Sequence, residues 1–355
     1  MDVPKISVLI PMYNRKHCIK QCIDSVLAQT FQDFEIIVRD DGSTDGSADF
    51  VAQHYATEIS SGKLKLHRNE KNIGEFPTNS RLLREAEGKY VMILHSDDLY
   101  TVYAAAHLYV TAEKFNADVV HSCNLYQCLS NVLELDKTHI TCFETNPVSK
   151  VTVMPEALFS RFMEWATDGT FIDLQYNFFR REFVLKNNLF NHVDEANSNA
   201  FVLRWILNAK VFVKTPVPTY IRCEPPDSIS NDISKFSIEK FISDKIGIAR
   251  NLEKILPELE WFDDNEEIKR FIMLKLLIRS HQWQISRRGI YRNGISPELR
   301  DRVEDTFRKY LGDVAPYPAL LFNLVFMIPT DKLWEKIIIE DGLRRVMLTL
   351  SPQST

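Results

Sequence analysis

Two runs in the first third of the chain have the make-up of a ligand site, Asp40-Asp41-Gly42-Ser43-Thr44-Asp45 and Ser96-Asp97-Asp98. The adjacent aspartates of the second run offer hard oxygen ligands, which suit Mg2+ or Mn2+ bridging the oxygens of a diphosphate. In the first run Gly42 permits a tight backbone turn. A carboxylate there can accept a hydrogen bond from a nucleobase imide while neighbouring backbone amides meet ribose or phosphate. Each run alone reads equally well as local architecture, an Asx turn in the first case and a helix cap in the second. Their pairing, one α/β unit apart, favours a single site.

The elements that would hold these residues follow from hydrophobic periodicity. Ile6 to Pro11 predicts a first strand, and residues 17–30 predict a helix with Ile19, Cys22, Ile23, Val26 and Leu27 on one face. Phe34 to Val38 predicts a second strand that runs into the first acidic cluster. A helix over Ser47 to Tyr55 and a short strand over Lys63 to His67 come next. A helix from Thr78 to Glu87 follows, with Gly88 as its left-handed cap. Tyr90 to Leu94 predicts a fourth strand, whose end runs into His95, Ser96, Asp97 and Asp98. Such alternation is the pattern of a parallel sheet with crossover helices, and ligands gather just outside the carboxyl ends of its strands. Pro225 and Pro226 then interrupt the chain, and residues 236–350 show mostly helical periodicity. The expected organisation is an α/β domain over 1–225 and a helical region over 226–355.

The chain has 355 residues, 45% of them hydrophobic, enough to bury a substantial core. Its 48 acidic and 43 basic residues are mixed along the sequence for a net charge of −5, with no basic block to follow a phosphate backbone. Nucleic acid is therefore not an expected partner. The apolar run in MDVPKISVLIPMYN is about six residues long, neither a signal peptide nor a membrane span. ALLFNLVFMIP, Ala319 to Pro329, is about eleven residues and too short to cross a ~30 Å hydrocarbon layer as a helix. The six cysteines are too scattered for a disulfide framework and lack zinc-ribbon spacing. Reduced thiols and a cytoplasmic location are the expectation.

The runs ISVLIPMYNR (6–15), SVLAQTFQDFEIIVRDDGSTDGS (25–47) and NIGEFPTNSRLLREAEGKYVMILHSDD (72–98), in that order, resemble the family-two glycosyltransferases of the GT-A fold. The resemblance covers roughly residues 4–225 and weakens after residue 100. It implies a nucleotide-diphospho-sugar transferase of α/β class, with a Rossmann-like mixed sheet and an added C-terminal helical region. It also implies an inverting, Mn2+- or Mg2+-dependent transfer from a nucleotide sugar to an acceptor hydroxyl on a glycan or lipid-linked glycan. A UDP-sugar is favoured because Asp41 suits an imide, although thymidine presents the same edge and guanosine can also pair with a carboxylate.

Carried over position by position, the resemblance implies that Pro11 and Tyr13 frame the uracil pocket, that Asp41 reads the base, and that Asn14 and Arg15 also belong to the nucleotide-sugar site. Asn72 and Gly74 match the loop before the phosphate-facing helix, and Asn79 matches a position on that helix where relatives present asparagine or arginine. Asp98 resembles the direct metal ligand and Asp97 its companion toward the ribose or sugar, while His95 stands where many members carry aspartate. Arg222 is a donor-site candidate, and Trp165, Asp168, Asp173, Gln175 and Tyr176 fall in the stretch that forms the acceptor side in relatives.

One departure bears on catalysis. Relatives carry a carboxylate, proposed as general base, about six residues before the arginine that matches Arg204, and here those positions are Asn197 and Ser198. Neither accepts a proton usefully near neutral pH. Asp194 and Glu195 lie just upstream and are equal candidates for the base, with a solvated acidic loop as the alternative. The gap keeps open a binding or scaffold protein that retains the fold without turnover. A nucleotidyltransferase would require a glycine-rich loop after the first strand, which PMYNRKHC lacks. The helical region is expected to pack on the first domain, form a homo-oligomer, or touch the inner face of a membrane as a peripheral contact.

Overall fold

The computed structural model describes residues 3–128, 140–144, 149–154, 174–187, 189, 205 and 208–223. All fall within the first of two compact units, Met1–Ser228. The helical region expected over 226–355 lies outside the described residues.

Strands β1 (Ile6–Met12), β2 (Phe34–Asp40), β3 (Leu64–Arg68) and β4 (Tyr90–Ile93) run parallel in the order β3-β2-β1-β4. Between them the chain forms α1 (Ile19–Leu27), α2 (Ser47–His54), α3 (Ala56–Ser60) and α4 (Glu75–Glu85). After β4 come β5 (Leu99–Tyr100), α5 (Ala104–Phe115), β6 (Val119–Ser122), β7 (Asn124–Cys128), β8 (Ile140–Glu144) and β9 (Thr152–Val153). A short 3-10 turn (Leu174–Tyr176) then leads into β10 (Asn177–Arg180), α6 (Arg181–Lys186), β11 (Phe212–Thr215) and β12 (Tyr220–Cys223). The main sheet has eight strands in the order β3-β2-β1-β4-β10-β6-β11-β9, with β10 antiparallel to both neighbours, so it is mixed. A second sheet follows the order β5-β12-β7-β8.

The apolar-rich make-up of β1 and β2 goes with their burial on both faces of the sheet. Val8, Ile10, Ile36, Val38 and Met92 point to one face, where they pack with Ile19, Ile23 and Val26 of α1, Val51 of α2 and Leu108 of α5. The alternate residues Leu9, Ile37, Val91 and Ile93 are equally buried on the opposite face. Helix α4 packs against β1 and β2.

Most element ends shift by one to three residues from the sequence reading, and those of α4 matter most for the site. Helix α4 begins at Glu75, not Thr78, with Pro77 inside its first turn. A proline there is tolerated because the first helical N–H groups have no intrahelical acceptor. Gly88 is not a left-handed cap, since α4 ends through Ala86 in an extended conformation. Gly88 is instead required by close approach, because a Cβ there would lie 2.6 Å from the Ser7 backbone nitrogen and 2.7 Å from the Ile6 carbonyl carbon. Its own N–H donates to Ser7 Oγ at 2.8 Å, and Ser7 Oγ donates to the buried Glu35 carboxylate at 2.6 Å. This buried polar cluster is completed by Lys65, 2.8 Å from Glu35.

Gly88→Ala therefore forces backbone against backbone and is expected to lower stability by about 1–3 kcal/mol. Urea unfolding measures it, and an unchanged midpoint would contradict the close-approach account.

Candidate active site

The carboxyl ends of β1, β2 and β4 converge on the acidic runs. The segment after β1 is zipped to the segment after β2. The Asn14 N–H donates to Ser43 Oγ at 2.8 Å, Asn14 Oδ1 accepts from the Thr44 N–H at 2.9 Å, and the Arg15 N–H donates to Ser47 Oγ at 2.9 Å. Asn14 adopts φ 52°, a left-handed conformation that asparagine tolerates better than most residues. Tyr13, just before it, is 42% exposed, which leaves its ring face open beside the site.

Asp41 is buried, and its carboxylate organises the loop before α4. Oδ1 accepts from Asn69 Nδ2 at 2.8 Å and from the Ile73 N–H at 2.9 Å, while Oδ2 accepts from the Gly74 N–H at 2.9 Å. The Asn69 amide is fixed in turn, because its Oδ1 accepts from Arg39 Nη1 at 2.9 Å and Arg81 Nη1 at 2.8 Å. Asn72 Oδ1 shares the Gly74 N–H at 3.0 Å. Gly42 sits under this loop with φ 74°, and a Cβ there would fall 2.6 Å from the Lys71 carbonyl carbon. Only glycine meets both demands.

Asp98 is buried and its two oxygens are held apart by different donors. Oδ2 accepts from the Tyr220 hydroxyl at 2.7 Å and Oδ1 from the Cys223 N–H at 2.7 Å. Asp97 lies 3.2 Å from the Arg15 guanidinium. His95 stands between two carboxylates, with Nε2 3.3 Å from Glu75 Oε1 and Nδ1 3.9 Å from Asp98 Oδ2. Burial, then the Asp97 charge, raises the Asp98 carboxyl to about 6 against the opposing pull of His95 and Tyr220. Burial disfavours the His95 imidazolium, but Glu75, Asp98 and Asp97 outweigh it and raise the ring to about 9. The thiols of Cys18, Cys22 and Cys223 are all pushed up, above all by burial, and stay protonated.

The donor set fits a divalent cation. Ligand atoms of His95, Asp97 and Asp98 lie within 4.8 Å of one another. Each Asp98 oxygen keeps one lone pair after its hydrogen bond, and ligating carboxylates are commonly oriented by such donors. One imidazole nitrogen and two carboxylates leave coordination positions for phosphate oxygens and water.

The structure thus brings together Pro11, Tyr13, Asn14, Arg15 and Asp41 with Asn72 and Gly74 on one side, and Asp97 with Asp98 on the other. Asn79 is fully buried within α4, and neither of its amide atoms has a hydrogen-bond partner. Arg222 lies on β12, between Ile221 and the Cys223 that holds Asp98. Tyr176 is buried, edge-on to Tyr220 with centroids 5.2 Å apart, and Gln175 is buried beside it. Asp194, Glu195, Asn197, Ser198, Arg204, Trp165, Asp168 and Asp173 lie outside the described residues. Sequence reasoning missed Glu75, Asn69 and the hold of Tyr220 on Asp98. An acidic residue in a first helical turn was the single local signal for Glu75.

Residues 7–187 match the model of the family described as Glycosyl transferase family 2. The chain belongs to that family. It is a glycosyltransferase with the GT-A fold. Among curated relatives, it is 26% identical over 294 residues to the cholesterol galactosyltransferase of Borreliella burgdorferi, covering 81% of this chain and 79% of that one. It is 34% identical over 100 residues to the Escherichia coli UDP-Glc:alpha-D-GlcNAc-diphosphoundecaprenol beta-1,3-glucosyltransferase WfgD, a match that spans 28% of this chain and 38% of the relative. Among solved structures, S. aureus TarS 1-349 in complex with UDP-GlcNAc superposes with a TM-score of 0.63 at 19% identity, over 97% of this chain and 91% of the other. The Pyrobaculum calidifontis mannosyltransferase PcManGT, in complex with GDP-Man and Mn2+, gives a TM-score of 0.51 at 14% identity over 98% and 88%. At such identities the structures establish the shared fold.

Asp41 is the acceptor that three donors of the 69–74 loop require. Asp41→Ala is expected to raise amide hydrogen exchange at Ile73 and Gly74 by about fivefold to a hundredfold, since losing a shared buried acceptor costs about 1–3 kcal/mol. Unchanged exchange at both amides would show that the loop is held by other contacts.

Proposed function

We propose that this family 2 glycosyltransferase uses a UDP-sugar and transfers its sugar to an acceptor hydroxyl in a cation-dependent, inverting reaction. The observation that carries this reading is the placement of Asp41 and of the His95, Asp97 and Asp98 group at the ends of β2 and β4, on either side of β1. Among the described residues Asp41 Oδ2 accepts one hydrogen bond, from the Gly74 N–H, which leaves a lone pair for a uracil imide N–H. Tyr13 offers an open aromatic face beside it, suited to stacking on the base. The UDP-GlcNAc complex of TarS supports the choice of uridine, and the Mn2+ of PcManGT supports the cation.

Asp97 and Asp98 would hold the cation, whose charge offsets that of the diphosphate leaving group when bound. In the transfer, the acceptor oxygen forms a bond to the anomeric carbon from the face opposite the diphosphate. The bond from that carbon to the diphosphate oxygen breaks, and UDP leaves with its electron pair. The acceptor proton passes to a carboxylate, for which Asp194 and Glu195 are the candidates. Arg15 and Arg222 contribute positive charge near the diphosphate. The diphosphoundecaprenol named for the relative WfgD supports a lipid-linked glycan as acceptor. No helix among the described residues is long and apolar enough to cross a membrane. Access to a lipid-linked acceptor would then be peripheral, at the inner face, with residues 226–355 providing contact with the membrane or with a second copy.

Asp98→Ala tests the reading. UDP binding in the presence of Mn2+, followed by calorimetry, is expected to weaken by at least about a hundredfold and donor hydrolysis to be lost, with the circular dichroism spectrum kept but the unfolding midpoint lowered, because Tyr220 and the Cys223 N–H lose their acceptor. Retained turnover in that variant would remove the cation assignment.

A further inference from the structure

We infer that His95 is itself a ligand of the divalent cation, through Nδ1, and that Glu75 is the positioning residue that holds its ring for ligation. The inference rests on the cation-dependent donor site proposed above and deepens it, by making that site a mixed nitrogen and oxygen centre.

The argument starts from where the ring points. His95 follows β4 after a single residue, and its two nitrogens face carboxylates on different elements: Glu75 at the start of α4 and Asp98 in the turn after β4. A histidine bound to a metal through one nitrogen carries a proton on the other, and a carboxylate there fixes the tautomer and ring orientation. Glu75 Oε1, 3.3 Å from Nε2, stands on that outer side within ion-pair distance, though not aligned as a hydrogen bond. On the inner side, the 3.9 Å from Nδ1 to Asp98 Oδ2 is too long for a hydrogen bond. Two ligands about 2.1 Å from one ion stand roughly 3 Å apart in neighbouring octahedral positions, so a modest approach of the ring toward Asp98 would let an ion share both atoms. Asp98 is oriented by its own outer donors, Tyr220 and the Cys223 N–H, so both inner ligands are held by second partners.

The choice of metal follows from the donors. Imidazole suits borderline transition ions, whereas an all-oxygen site suits Mg2+ as well as Mn2+. The protein is therefore expected to prefer Mn2+ or Co2+ over Mg2+ more strongly than an aspartate at position 95 would allow. The competing arrangement is a protonated ring that only bridges Glu75 and Asp98, with the cation held by oxygen alone.

Pulsed electron paramagnetic resonance on the full chain with Mn2+ and UDP separates the two. The expected result is nitrogen modulation from a directly bound imidazole in the natural protein, absent in His95→Asp. Titration of the free Mn2+ signal should show Glu75→Ala weakening Mn2+ binding about tenfold, and His95→Asp shifting the Mn2+ over Mg2+ preference about tenfold toward Mg2+. If His95→Asp does not fold, the spectrum of the natural protein and the Glu75→Ala titration decide. Mn2+ binding without nitrogen modulation, or modulation that survives in His95→Asp, overturns this inference and leaves the donor-site reading standing. No Mn2+ binding by the natural protein in the presence of UDP overturns both.

Discussion

The buried carboxylate of Asp98 is the constraint on which the described unit depends. Removing a carboxylate from water costs several kcal/mol unless it is hydrogen-bonded. Here the compensation comes from Tyr220 and Cys223 on β12, which pairs with β5, the strand that begins directly after Asp98. The same two hydrogen bonds therefore fix the turn between β4 and β5 onto β12 and orient the oxygens proposed to face the cation. Tyr220 packs edge-on against Tyr100 and Tyr176, so the hydroxyl that holds Asp98 is anchored by core aromatic contacts. Stability and site geometry are coupled through one side chain.

A similar economy governs the other half of the site. Asp41 closes the 69–74 loop by accepting from two backbone amides and one side-chain amide, and two arginines lock the Asn69 amide in the orientation that donates to it. The loop so fixed delivers Glu75 at the first turn of α4, next to His95. The groups proposed to read the base and to hold the cation thus share a connection that runs through a short loop and a helix start. Such over-determined geometry is what holds charged groups at fixed positions before a ligand arrives.

Much of this was legible in the sequence because β2 and β4 are apolar-rich strands that run into acidic residues, and strand ends of that kind mark ligand sites. Gly42 could be read as a turn residue from its neighbours. The rest was hidden for physical reasons. Tyr220 and Asp98 are 122 positions apart, and no local periodicity encodes a hydrogen bond across that distance. Pro77 delayed the predicted start of α4 because a proline signals a break, yet it fits the first turn, and the delay concealed Glu75 as a helix residue. Gly88 was read as a cap from its position after a helix, although its role is set by the passing backbone of Ile6 and Ser7. The strands after residue 115 are short, and β10 enters the sheet antiparallel between β4 and β6, an order that follows from tertiary pairing.

The central claim is that the ends of β2 and β4 form one donor site, with Asp41 at the base and the His95, Asp97 and Asp98 group at the diphosphate. A crystal structure of the full chain with UDP and Mn2+ tests it most directly. The account predicts the uracil imide within hydrogen-bond distance of Asp41 Oδ2 and the cation bound by Asp98 against the diphosphate. A nucleotide bound elsewhere, or bound here with its diphosphate away from Asp98, would contradict it.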